Sequence, residues 1–189
     1  MVRKSEHMFE KVNLSSLAIS VLAYLARSPD NRFYVREIAA KTGGSVGGCH
    51  KVLKKLFYMD FVRKQKSGRN LYFYINNENP SIKYFKIFIN IQEVNEIIKS
   101  IADECNKIIL YGSCSTGEDT QDSDIDLLII TENVKKIKQI FRNKHIGERQ
   151  LKSMIFFPHE FIKLKDKDRA FYNEVNKGIV LWRGGDERV

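Results

Sequence analysis

The residues best suited to chemistry lie in one stretch of the chain. Gly112 and Ser113 follow the apolar run Ile108-Ile109-Leu110-Tyr111, and Asp122, Ser123, Asp124 and Asp126 lead into Leu127-Leu128-Ile129-Ile130. Bounded Ile/Leu runs of this length read as buried strands. A glycine at the end of a strand lets the backbone turn and approach a ligand closely. The Ser113 hydroxyl and nearby N–H groups can then donate to phosphate oxygens. Side chains alternate along a strand, so Asp122, Asp124 and Asp126 are expected on one face, with Ile125 and Leu127 pointing into a core. Clustered carboxylates are costly without a cation between them. Mg²⁺ typically takes one or two carboxylates plus substrate phosphates. A phosphate cradle beside a metal clamp suits phosphoryl or nucleotidyl transfer, where the protein mainly positions groups and neutralises charge. The plainer reading is a turn capped by an acidic strand end.

The pattern is Gly-Ser, ten residues from Cys114 to Ser123, then Asp-x-Asp on a hydrophobic strand, with Gly117 inside the loop. It resembles the minimal nucleotidyltransferases of the DNA polymerase β-like superfamily, over roughly Lys107 to Gly184. The resemblance implies that Gly112 and Ser113 hold a nucleoside triphosphate with Ser123 beside them, and that Asp124 and Asp126 are the catalytic, Mg²⁺- or Mn²⁺-binding pair. It also implies a third carboxylate on the strand after the next helix. That strand is read as Gln150 to Phe156, and its expected positions hold Lys152 and Ser153, with Glu148 only in the preceding loop. Two carboxylates can hold a metal, but the general base is missing, a loss of typically 10²–10⁴-fold.

The elements that must position these groups fall into two domains. Residues 1–80 hold 14 Lys+Arg and 6 Asp+Glu, against 18 and 17 in residues 81–189, so the first carries +8 of the +9 total. A basic module joined to a near-neutral one points to a polyanionic partner. In the basic part, Asn13 or Ser15 caps a helix to about Arg27, with Leu14, Leu17, Ala18, Val21, Leu22 and Leu25 inward. Phe33-Tyr34-Val35 is a short extended piece. Arg36 to Thr42 is a second helix ended by Gly43-Gly44. Ser45 caps a third helix to about Met59, with Val46, Val52, Leu53 and Leu56 inward. Phe61–Lys64 and Leu71–Ile75 are strands joined by the loop Gln65–Asn70.

Three helices and a basic hairpin resemble a winged helix-turn-helix over residues 13–77. The resemblance implies a helix 45–59 that enters the major groove and a hairpin that forms the wing. The DNA-facing candidates are Ser45, His50, Lys51 and Lys54, with Lys55 beside them on the helix, and Arg63, Lys64, Lys66 and Arg69 on the wing. The other reading is a basic surface on a domain that mediates protein contacts. Gly47 and Gly48 present nothing to a base edge, so phosphate contacts are expected to dominate.

The expected fold is α+β in two domains: a winged helix-turn-helix over 1–78 and a nucleotidyltransferase-type mixed sheet with helices on it over 106–189, joined by a helical linker over 79–105. Asn90-Ile91-Gln92 is expected to interrupt the linker. Its apolar face, with Ile82, Phe85 and Phe88, is expected to pack on a domain or on a second subunit, making a homodimer. Beyond the motif, a basic helix Asn133–Asn143, a strand Leu151–Phe157, a helix opened by Pro158, one capped by Asp168 and a strand Ile179–Trp182 complete the chain. The residues before about Asn13 and after Trp182 are expected to fray.

Three cysteines, Cys49, Cys105 and Cys114, make neither a disulfide framework nor a zinc cluster. Cys114 reads as a small neighbour of the turn. No apolar run approaches the ~18–20 residues of a bilayer span, and no signal core follows the basic start, so a cytoplasmic protein is expected, with no membrane partner. The functional expectation is Mg²⁺-dependent transfer of a nucleoside monophosphate, AMP from ATP, to a hydroxyl. The resemblance implies that this acceptor is a Tyr on a HEPN-type toxin partner. The alternative is a DNA-binding regulator whose second domain only binds nucleotide. An RNA-modifying enzyme is a third reading.

Overall fold

The computed structural model of the chain describes residues 13–185. The expected frayed start and the last residues of the tail lie outside them. The chain forms two compact units, Met1–Ile82 and Lys83–Val189.

In the first unit, Ser15 caps helix α1 (Ser16–Ala26) by accepting from the Ala18 N–H. Helix α2 (Val35–Thr42) takes in Val35, and the extended piece before it is reduced to one bridge, Phe33 to Phe73. Glu37 at the third helical position accepts from the Tyr34 N–H and closes the start of α2. Helix α3 (Val46–Tyr58) is capped by the Ser45 hydroxyl, which accepts from the Gly48 N–H at 3.1 Å. Leu22, Leu25, Ile38, Leu53 and Leu56 are fully buried between the helices, each stabilising by roughly 1.5–3 kcal/mol. Val46, expected inward, is 49% exposed. It is the first residue of its helix, before the buried stripe of Cys49, Leu53 and Leu56 begins.

Strands β1 (Val62–Ser67) and β2 (Asn70–Ile75) pair along their whole length, Ser67 opposite Asn70. The expected loop Gln65–Asn70 is therefore mostly strand, and the turn is only Gly68-Arg69. Alternation breaks down there because both faces of the tip are solvated, so apolar patterning had nothing to mark. Among the described residues of this unit, three helices followed by this hairpin make a winged helix-turn-helix. Gly48 has a packing reason: a β carbon there would meet Ser45 Oγ at 3.0 Å and Leu17 Cδ2 at 3.3 Å. Nothing in the structure explains Gly47.

Helix α4 (Pro80–Ile101) runs without interruption. Asn90 does not break it, because its side chain is fully buried and bonded to other parts of the second unit. In that unit α4 supplies Val94, Ile98 and Ile101 to the core. A 3₁₀ turn (Ala102–Glu104) leads to β3 (Lys107–Tyr111), the short helix α5 (Ser113–Thr116), β4 (Ile125–Ile130), helix α6 (Val134–Phe141), β5 (His145–Ile146), β6 (Arg149–Phe156), helices α7 (Pro158–Lys167) and α8 (Arg169–Asn176), and β7 (Ile179–Arg183).

The five strands form one mixed sheet in the order β5-β6-β4-β3-β7. β3 is antiparallel to β4 and β7, and β4 is parallel to β6. One face, with Ile108, Leu110, Ile125, Leu127 and Ile129, buries itself against α4 and α6. The other, with Ile109, Tyr111, Leu128 and Ile130, packs on Phe161 of α7 and Val175 of α8. The fold class is thus α+β: a winged helix in the first unit, and in the second a mixed sheet with helices on both faces. Among the described residues, no helix is long and apolar enough to cross a membrane.

Candidate active site

The site forms where β3 ends beside the start of β4. Register places Tyr111 opposite Asp126, so the next residue, Gly112, turns directly above that carboxylate. Gly112 has φ 66° and ψ −157°, a backbone region essentially reserved for glycine. A β carbon there would stand 3.0 Å from Asp126 Oδ2. Ser113 then opens α5, a single helical turn inside the loop of the motif. The Gly112 carbonyl accepts from the Ser115 N–H and hydroxyl, at 3.0 and 2.8 Å. Gly117 ends α5 with φ 72°, and a β carbon on it would meet the Lys83 carbonyl at 2.5 Å, so α4 sets how closely this loop is held.

The acidic triplet is not one strand face. β4 begins at Ile125, and Asp122 lies exposed in the preceding turn. Only Asp126 is in the strand, on the face shared with Leu128 and Ile130; Asp124 is the last residue before it. The strand starts late because the turn has its own bonds: the Ser123 hydroxyl accepts from the Thr120 N–H at 2.9 Å, and the Ser123 N–H donates to the Thr120 carbonyl at 3.2 Å. Ser123 thus shapes the loop from which Asp124 emerges.

Asp126 is half-buried, and its carboxyl is raised above the usual range chiefly by that burial. Lys152 and Arg149 lower it, while Asp124 and Glu174 raise it. Tyr111 is pushed up to about 12, mainly by burial and then by Asp126 and Glu174. Lys152 stands opposite Asp126 in the β4/β6 pair, and its Nζ lies 2.6 Å from Asp124 Oδ2. That bond is also the main reason the Lys152 ammonium is raised. The strand position that the resemblance assigns to a third carboxylate therefore holds a cation paired to Asp124. Glu148 lies exposed in the two-residue turn between β5 and β6.

A buried polar network stands behind the loop. Arg149 donates from Nε to the Ser123 carbonyl at 2.8 Å, from Nη1 to Asn90 Oδ1 at 3.1 Å, and from Nη2 to Cys114 Sγ at 2.8 Å. Its guanidinium is also 3.5 Å from Asp119 and 3.3 Å from Glu93. Asn90 donates to the Cys114 carbonyl and to Asp119 Oδ1, each at 3.0 Å. Lys86 pairs with Asp119 and donates to its carbonyl. Cys114 is fully buried and its thiol is pushed up to about 11, chiefly by burial, which suits a packing role. Sequence reasoning missed Arg149, Glu93, Lys86, Asp119 and Glu174. The available signal was polar: Lys86, Asn90 and Glu93 recur at i, i+4 and i+7 on one face of α4.

Asp124 and Asp126 fit one hard divalent cation. They are two carboxylates at one strand end, and the bare Cα of Gly112 leaves open the space at Asp126 that a side chain would fill. Among the described residues no three His, Cys, Asp or Glu side chains are grouped to hold a metal, so waters and phosphate oxygens would complete the coordination.

In the first unit, His50, Lys51, Lys54, Lys64, Lys66 and Arg69 are exposed. Lys64 Nζ sits 4.3 Å from the Phe57 ring centre, bringing the wing against α3. Lys55, beside them on α3, bonds the Asn13 carbonyl. Arg63 is half-buried and paired with Glu78 at 2.5 Å, and Ser45 spends its hydroxyl on the cap.

The sequence model of the polymerase beta nucleotidyltransferase family matches residues 92–187. No curated protein matches the chain. Among solved structures, a ZitR mutant from Lactococcus lactis is 20% identical, over 47% of this chain and 63% of that one, with a TM-score of 0.37. AdcR from Streptococcus pyogenes is 18% identical, over 48% and 66%, with a TM-score of 0.39. The homodimeric winged helix-turn-helix DNA-binding domain Mb0332 from Mycobacterium bovis is 18% identical, over 47% and 77%, with a TM-score of 0.38. The chain spans less than two thirds of the ZitR and AdcR chains.

Proposed function

The chain belongs to the polymerase beta nucleotidyltransferase family, and we propose that it moves a nucleoside monophosphate, AMP from ATP, onto a hydroxyl acceptor while its winged helix binds DNA. The observation that carries this reading is the meeting of Gly112 and Asp126: a glycine-only bend and a half-buried carboxylate share one spot at the end of two paired strands.

Asp124 and Asp126 would hold Mg²⁺ or Mn²⁺, which when bound neutralises triphosphate charge. Gly112 and Ser113 hold the β- and γ-phosphates, the serine through its hydroxyl and the bend by leaving room for them. Arg149 fixes the loop from behind through Ser123 and Cys114. In the transfer, the acceptor oxygen forms a bond to the α-phosphorus as the bond to the bridging oxygen breaks, and pyrophosphate leaves. The acceptor proton passes to water or to a base that the acceptor brings. Transfer with no base from this chain is slow, which suits an acceptor held in place by its own binding energy. The acceptor proposed is a Tyr on a HEPN-type partner protein, as in toxin–antitoxin pairs. The basic winged helix ties this activity to DNA.

The experiment is labelled ATP with Mg²⁺ and candidate protein, RNA and small alcohol acceptors, comparing wild type with Asp126→Ala. Label on an acceptor with wild type alone is expected. The second reading, a regulator that only binds nucleotide, is favoured by one observation: Lys152 stands where a third acid would assist catalysis. Tight ATP binding with no label on any acceptor would select it.

A further inference from the structure

Lys152 lies on β6 directly beside Asp126, and its ammonium bonds the carboxylate of Asp124 at 2.6 Å. The lysine side chain is 56% exposed and that of Asp124 is 32% exposed, so the pair is open to exchange with solutes. Formally, Asp124, Asp126 and Lys152 together carry −1, where an acid at the lysine position would give −3. A divalent cation approaching this site must displace a cation already bonded to one of its two carboxylates, and it meets repulsion from that cation afterwards.

We propose that Lys152 competes with the divalent metal for Asp124, so that the site takes up metal tightly only together with the phosphates of a nucleotide. This rests on the reading of Asp124 and Asp126 as metal ligands. The phosphates supply the anionic oxygens that two carboxylates lack, and they give the displaced ammonium a new partner. Lys152 is thus a positioning residue that orders binding: metal and nucleotide arrive as one unit, and the free protein holds little metal.

The test is Mn²⁺ binding to the full chain, read from the electron paramagnetic resonance signal of free Mn²⁺, with and without a non-hydrolysable ATP analogue. Wild type is expected to bind Mn²⁺ weakly alone and far more tightly with the analogue. Lys152→Gln should bind Mn²⁺ alone roughly tenfold more tightly or better. Lys152→Asp should bind more tightly still, and Lys152→Arg, which keeps the charge, should behave as wild type. A Lys152→Gln protein within twofold of wild type, or an Arg variant as tight as the Gln variant, overturns the proposal. Asp124→Ala/Asp126→Ala separates the two levels. If Mn²⁺ binding survives there, the metal-site reading itself fails; if it is lost there but Lys152→Gln changes nothing, only the competition fails.

Discussion

A β carbon on Gly112 would stand 3.0 Å from Oδ2 of Asp126. Substituting alanine therefore has two costs: backbone strain of about 1–3 kcal/mol in a region where only glycine is comfortable, and displacement of the carboxylate. Gly112→Ala is expected to stay folded, with a melting temperature several degrees lower, and to lose nucleotide transfer. Thermal unfolding followed alongside the labelled-ATP assay checks both parts; unchanged transfer would remove Gly112 from the site.

Asn90 joins α4 to the Cys114–Asp119 stretch and to Arg149 of β6 through three bonds. Leucine fills the space but satisfies none of these partners. Asn90→Leu is expected to cost about 2–4 kcal/mol, read as a lower urea midpoint. A cost below about 0.5 kcal/mol would mean the network contributes little.

On the winged helix, exposed and engaged cations should separate. Lys54→Ala and Lys66→Ala are each expected to weaken binding to any duplex alike and to lower the salt slope by about 1. Arg63→Ala should do less, because Arg63 is already committed to Glu78. Fluorescence anisotropy at two salt concentrations decides it, and equal losses for all three would overturn the distinction.

The buried Cys105 thiol predicts a loss of stability at high pH. Burial, the larger cause, and Glu104 together push Cys105 up to about 11. The unfolded thiol ionises first, at about 8.5, so between there and about 11 the native state binds more protons and stability falls as pH rises. The contribution is full below the unfolded value and on the order of 1–3 kcal/mol is gone above the folded one. Urea midpoints at pH 8 and 10.5 should differ less in Cys105→Ala than in wild type.

The apolar strands, the caps at Ser15, Ser45 and Asp168, and the helix-opening Pro158 are legible because each is a local signal. Gly112 and Asp126 are legible as types at a spacing; their meeting depends on the antiparallel register of β3 and β4. Asn90 misleads as a helix breaker because its partners lie 24 and 29 positions away, and no local rule sees them. Lys152 reads in the sequence only as a missing acid. Its bond to Asp124 appears once the parallel β4/β6 pair is formed, and the strand tips at Gln65–Ser67 escape notice because solvent covers both their faces.

Along β4, Ile125, Leu127 and Ile129 serve one layer of the core while Leu128 and Ile130 serve the other, with Asp126 at the edge of their face. Sliding this strand by a single position would drive a carboxylate into hydrocarbon and bring an isoleucine or leucine beside Gly112, an exchange with a large desolvation cost. The carboxylate of Asp126 thereby also forbids misalignment of β4.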